Sequence, residues 1–157
     1  MKQKRKFNIV DVIVVILLAA VLAFGGYKVA TRDSGESAAD TITIQYTVKC
    51  ENVDQELYEN CQKHLPSQLM ASGQLYNGKI TAVQESPYYV MTADGQWVED
   101  HDHVTLTFTV EATIPKTDVM TTEIAKQEVR VGKSDYILKS EYIEFSDCVI
   151  TDVEWSK

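Results

Sequence analysis

What this 157-residue sequence lacks bounds its chemistry first. It has no C-x-x-C or H-E-x-x-H pair to seed a metal centre, no glycine-rich phosphate loop and no nucleophile–base motif, so no catalytic set announces itself. It is also short of positive charge, with 15 Lys and Arg against 23 Asp and Glu. The deficit is uneven: residues 31–157 hold 10 basic and 22 acidic residues, a net charge of −12. Phosphate backbones and anionic lipid headgroups would repel such a surface, which argues against nucleic acid and favours a cation or a basic partner. Cysteine is scarce and odd in number, at Cys50, Cys61 and Cys148. A Cys50–Cys61 bridge could pin a helix to the end of a first strand. Buried free thiols fit equally well, with Leu57 and Cys61 on the inner face of that helix.

What is present begins with an apolar run, Ile9 to Gly26, preceded by Lys2, Lys4, Arg5 and Lys6. Eighteen residues at about 1.5 Å each give roughly 27 Å of helix, close to the hydrocarbon thickness of a bilayer. The basic cluster on its N-terminal side places that end in the cytoplasm, and Phe7 and Tyr27 stand at the two headgroup levels. The rival reading is a secretory signal cleaved after Gly25, in the small-x-small pattern Ala23-Phe24-Gly25. The apolar core is longer than the roughly 7–15 residues of a signal's h-region, so retention is expected. Asp11 lies one turn from the basic end, where a carboxylate can reach headgroups. Ala19 and Ala23 have the small-xxx-small spacing of a helix-packing face.

The opening Lys6-Phe7-Asn8-Ile9-Val10-Asp11, set at the mouth of a single span, resembles the start of a bacterial membrane-protein family known as DUF4330. Gly78-Lys79-Ile80-Thr81-Ala82-Val83 matches the Gly-x-Ile-x-x-Val type of segment found in that family. Cys148 to Val153 echoes it without the glycine. The resemblance implies a short basic tail, one span and a β-rich extracytoplasmic region. The family has no established catalytic residues, so the resemblance implies topology and no chemistry.

The expected layout is a basic tail over 1–8, a transmembrane helix over 9–27, a flexible spacer over 28–40 and a β-rich domain over 41–157. Thr31 to Asp40 is small and polar, the composition of a spacer. Thr41 to Lys49 alternates, with Ile42, Ile44, Tyr46 and Val48 on one side, as in a half-buried strand. Asp54 is the expected N-cap of one short helix, Gln55 to His64, ended by Pro66. Asp94-Gly95, between Tyr88–Ala93 and Gln96–Glu99, suits a two-residue type I′ hairpin. Val104 to Ile114 alternates for eleven residues up to Pro115 and should be a central strand. Shorter strands are expected at 128–131, 136–138, 142–145 and 148–155, with a turn at Gly132. Such density of short strands argues a small barrel or sandwich. Ile-Thr-x-Val recurs at Ile80–Val83 and Ile150–Val153, which predicts two equivalent strands of one closed sheet with Ile80 and Ile150 facing the same core.

Glu99-Asp100-His101-Asp102-His103 is the one constellation that could carry chemistry. On a strand, His101 and His103 point the same way and could ligate a metal with Asp100 or Asp102. The plainer expectation is a solvated loop leading into Val104. His64, at a helix end, suits a dipole contact better than a base. No catalytic, cofactor-binding or metal-binding residue is therefore assigned. The expected function is a membrane-anchored extracytoplasmic binding or scaffolding module of the cell envelope. Its partner would be an envelope protein or part of the polysaccharide machinery. The alternative is a metal-dependent protein or enzyme using His101 and His103.

Overall fold

A computed structural model describes residues 40–116 and 122–155. The expected tail 1–8, span 9–27 and, apart from its last residue, spacer 28–40 lie outside the described residues. Among the described residues no helix is long and apolar enough to cross a membrane.

In chain order the elements are β1 (Thr41–Asp54), α1 (Glu56–Lys63), β2 (Ser67–Ala71), β3 (Gln74–Met91), β4 (Trp97–Pro115), β5 (Thr122–Ile124), β6 (Gln127–Val129), β7 (Tyr136–Lys139) and β8 (Glu144–Trp155). Six of the strands form one antiparallel sheet in the order β2-β3-β4-β1-β8-β7, and β5 and β6 pair separately. The sheet curls until its two outer strands meet at a single bridge, Leu69 to Ser140. There the buried Ser67 and Ser140 hydroxyls share a 2.7 Å hydrogen bond. The result is a nearly closed, barrel-like sheet.

Alternation of side chains explains which face turned inward. Ile44, Tyr46 and Val48 on β1, Leu106, Phe108 and Val110 on β4, Ile80 on β3 and Ile150 on β8 are fully buried, and each large one contributes about 1.5–3 kcal/mol by leaving water. β4 lies between β3 and β1 and is the central strand expected from its eleven-residue alternation. Ile80 and Ile150 do face one core from one sheet. Inside the barrel Tyr46 and Tyr136 meet edge to face at 6.0 Å, their hydroxyls 2.8 Å apart. The outer edge of β7 is partly capped by a side chain rather than a strand. The Gln127 amide donates to the Ile137 carbonyl and accepts from its N–H.

Several local expectations are corrected. The disulfide joins Cys50 to Cys148, 98 residues apart, and Cys61 is free and buried. A Cys50–Cys61 bridge loses because β1 and β8 are neighbours and bring Cys50 and Cys148 within 4.5 Å at Cα. Leu57 lines the same cleft as Cys61, beside Tyr142 to Phe145, but is 37% exposed where Cys61 is buried. α1 starts at Glu56 after Gln55, with no side-chain cap, while Asp54 is the last residue of β1 and faces His103. At Asp94-Gly95 only the glycine has positive φ. Gly95 N–H donates to Thr92 O at 2.9 Å and Thr92 N–H to Gln96 O at 2.8 Å, which closes a three-residue loop in place of the expected two-residue turn. Two-residue turns with positive φ at both positions, as type I′ requires, occur at Ser72-Gly73 and Ala125-Lys126. Tyr142 lies outside the strand expected over 142–145, which starts at Glu144.

Candidate functional site

β3 and β4 outrun the rest of the sheet. β1 begins to pair with β4 only at His103, and β2 pairs with β3 no further along than Ile80. From Tyr88 to Met91 and from Trp97 to Asp100 the two strands therefore have, among the described residues, only each other as strand partners. No residue from Tyr88 to Asp100 is buried, so this segment is a two-stranded ribbon standing off the barrel. Its cross-strand pairs include Tyr89 with Glu99 and Met91 with Trp97, and residues two apart share a face, which puts these four side chains together. Tyr89, Met91 and Trp97 are 51%, 58% and 65% exposed.

The ribbon's base is built by a large bulge. Pro87 pairs with Val104 but Tyr88 pairs with Asp100, so β4 carries three extra residues, His101 to His103. The expected solvated loop is thus an irregular strand, and its irregularity decides where the histidines go. The Asp100 carboxylate closes the bulge, accepting the Asp102 N–H at 3.0 Å and lying 3.0 Å from His103 Nδ1. The other ring nitrogen of His103 lies 3.5 Å from Asp54. His103 is thereby clasped between two carboxylates. The Asp102 N–H, then the contact with His103, hold the Asp100 carboxyl below its ordinary range.

His101 goes elsewhere: it is 85% exposed, 4.0 Å from Glu99. The structure brings His103, Asp100 and Asp54 together and leaves His101 and Asp102 out. Among the described residues no group of three or more His, Cys, Asp or Glu side chains is arranged to hold a metal ion. His64 is the C-cap of α1, and its ring stacks on Tyr142 at 4.7 Å.

Two open clefts flank the ribbon's base. One of about 430 Å³ is lined by Asp54, Glu56, His101 and Asp102, and another of about 560 Å³ by Glu56, Glu59, Tyr58 and Glu85. A third, over Gly78, is bordered by Lys79 and Glu111, which form their own ion pair at 3.5 Å. The hairpin around Asp94-Gly95 was expected from the sequence, but its exposed apolar face was not. Its signal was there: Tyr88, Tyr89, Val90 and Met91 are apolar at consecutive positions, too many for one buried face, and no Lys or Arg occurs between Lys79 and Lys116.

Compared with known proteins, residues 2–154 match the model of a family described as a domain of unknown function, DUF4330. No curated protein and no solved structure matches the chain.

Proposed function

This chain belongs to the DUF4330 family, and from that premise we propose that it is a membrane-tethered binding or scaffolding module of the bacterial envelope, a binder rather than a catalyst. The observation that carries the reading is the β3–β4 ribbon, which exposes Tyr89, Met91 and Trp97 on one face while the rest of the fold is spent on a filled barrel core. Contiguous exposed apolar side chains on a small domain mark interaction surfaces. The Cys50–Cys148 disulfide supports an oxidising compartment, hence a domain outside the cytoplasm. The apolar run Ile9 to Gly26, with its basic flank, supports a single span that tethers the domain. On this reading the partner is an envelope protein or part of the polysaccharide machinery.

Two measurements test it. Protease added to intact spheroplasts should remove the β domain and spare the first residues; protection of the domain, or a soluble chain starting near Gly26, would refute the tether. Photo-crosslinking in native membranes should capture a discrete neighbour; a domain that captures nothing from any surface position is not a binding module.

A further inference from the structure

The binding-module reading can be taken further: we propose that the β3–β4 ribbon docks a cationic protein segment, one that presents Lys or Arg side chains beside aliphatic carbon. The proposal rests on that reading and names the partner's chemistry. Two independent properties of the ribbon point to it. The first is apolar: Met91 and Trp97 are directly paired across the strands and Tyr89 lies two residues along, so three large side chains form a continuous exposed stripe. A surface sheet face ordinarily carries polar side chains at these positions.

The second is charge. From Gln84 to His103 the ribbon and its base hold Glu85, Asp94, Glu99, Asp100 and Asp102 and no Lys or Arg. Glu99 stands on the aromatic face itself, opposite Tyr89. Asp54, Glu56 and Glu59 extend the acidic field into the clefts at the ribbon's base. Asp100, opposite Tyr88 on the ribbon's other face, is engaged by the Asp102 N–H and by His103. A guanidinium or ammonium group is the complement of both properties at once. It stacks on the face of Trp or Tyr and pairs with a neighbouring carboxylate, while its aliphatic stem lies along Met91. An anionic lipid surface or a phosphate backbone meets the same carboxylates as repulsion. A neutral glycan could stack on Trp97 and hydrogen-bond a carboxylate, but only a cation also gains from the ribbon's net negative charge.

The outer edges of the ribbon suit an extended occupant. Among the described residues Tyr88 to Met91 and Trp97 to Asp100 have no second strand partner, so their outward backbone groups can receive an added strand.

The test uses the full chain in neutral detergent micelles, with Trp155→Phe so that Trp97 is the only indole. The probes are an acetylated octapeptide alternating Arg and Leu, its Glu and Leu counterpart, inorganic polyphosphate and an N-acetylglucosamine hexasaccharide. The expected result is that only the Arg/Leu peptide binds, shifting Trp97 emission to the blue. Polarisation of the labelled peptide should show at least about tenfold weaker binding for Trp97→Ala and for the Glu99→Gln/Asp102→Asn pair. Binding should also weaken as salt rises from about 50 to about 500 mM. Val131→Ala, at an exposed apolar site elsewhere, should change nothing.

The proposal is overturned if none of the probes binds, if the Glu/Leu peptide, the polyphosphate or the hexasaccharide shifts Trp97 emission as well or better, if the chain self-associates through the ribbon instead, or if Trp97→Ala leaves peptide binding intact. A photo-crosslinker at Met91 and another at Tyr142 separate this outcome from failure of the broader reading. Capture of an envelope protein from position 142 alone keeps the binding module and removes the ribbon as its docking face.

Discussion

Thr81 of β3 and Thr151 of β8 occupy the same place in two halves of one sheet. Each is a single extra residue in a bulge, Thr81 between Ile80 and Ala82 and Thr151 between Ile150 and Asp152. Each hydroxyl donates to a threonine carbonyl on the neighbouring strand, Thr81 to Thr109 at 3.2 Å and Thr151 to Thr47 at 3.4 Å. Thr47 and Thr109 are themselves paired, so the relation is a local twofold about the centre of the β1–β4 ladder. Around it Ile80 opposite Val110 answers Ile150 opposite Val48, and Val83 opposite Phe108 answers Val153 opposite Tyr46. Two residues before each isoleucine the halves diverge. Gly78 faces Ala112 in one, and Cys148 is bonded to Cys50 in the other.

That divergence predicts the effect of filling Gly78. A Cβ there would meet Leu69 Cδ1 at 2.8 Å and Ala112 Cβ at 3.1 Å, against a β2 strand that the barrel seam holds in place. Gly78→Ala should destabilise the domain by about 1–3 kcal/mol in denaturant titration, although alanine suits a strand better than glycine. No loss would mean that β2 shifts freely and that the seam is loose.

The disulfide spans 98 residues and ties β1 to β8. Replacing Cys50 and Cys148 by Ala should lower unfolding stability by about 2–5 kcal/mol, and reducing agent should have little further effect on the variant. Cys61, whose thiol burial pushes upward in pKa, should react with a thiol reagent only when the domain unfolds. Rapid labelling of Cys61 in the native protein would contradict its buried position on the inner face of α1.

The central strand supplies a contrast between neighbours. Phe108 is fully buried against Phe145, whereas Thr107 is half-buried on the other face. Phe108→Ala should cost about 3–5 kcal/mol and Thr107→Ala about half a kcal/mol or less. Equal losses would show that both faces of β4 are packed.

The Tyr46–Tyr136 pair sets an alkaline limit. Burial raises both phenols, Tyr46 well above its ordinary value and aided by the neighbouring Tyr136. Their folded values lie above the unfolded value of about 10, so their contribution is intact below about pH 10 and is lost as pH rises through the folded values. In an ultraviolet titration two phenols should ionise only with unfolding. Tyr46→Phe should strand the Tyr136 hydroxyl and cost about 1–3 kcal/mol. Eight phenols titrating together without loss of structure would rule the buried pair out.

Asp100 sets a limit of the opposite sign. Its folded value is depressed, first by the Asp102 N–H, so its hold on the bulge is present above the ordinary carboxylate value of about 4 and disappears as pH falls through the folded one. Asp100→Asn should abolish that acid dependence and loosen the ribbon's base, read as faster amide exchange over residues 100–104. Unchanged exchange would mean that the strands alone shape the bulge.

The sequence by itself determined which residues are interior. Period-two alternation in Thr41 to Lys49 and Val104 to Ile114 sends every second side chain to one face, and burial of Ile44, Tyr46, Val48, Leu106, Phe108 and Val110 is its direct consequence. The Ile-Thr-x-Val repeat likewise foretold equivalent strands, because a bulge needs only a local residue pattern and a partner in register. The net charge and the missing catalytic motifs were legible as composition.

Pairings between distant parts of the chain belonged to the tertiary structure. Cys50 chose Cys148 over the nearer Cys61 because sheet order, not sequence distance, sets which Cα atoms approach. His101 and His103 read as one ligand pair under strand periodicity, yet three inserted residues broke that periodicity and left one ring clasped and the other in water. The ribbon became a surface for a similar reason. Tyr89, Met91 and Trp97 are apolar enough for a core, and only the length by which β3 and β4 exceed β1 and β2 leaves them with nothing to pack against among the described residues.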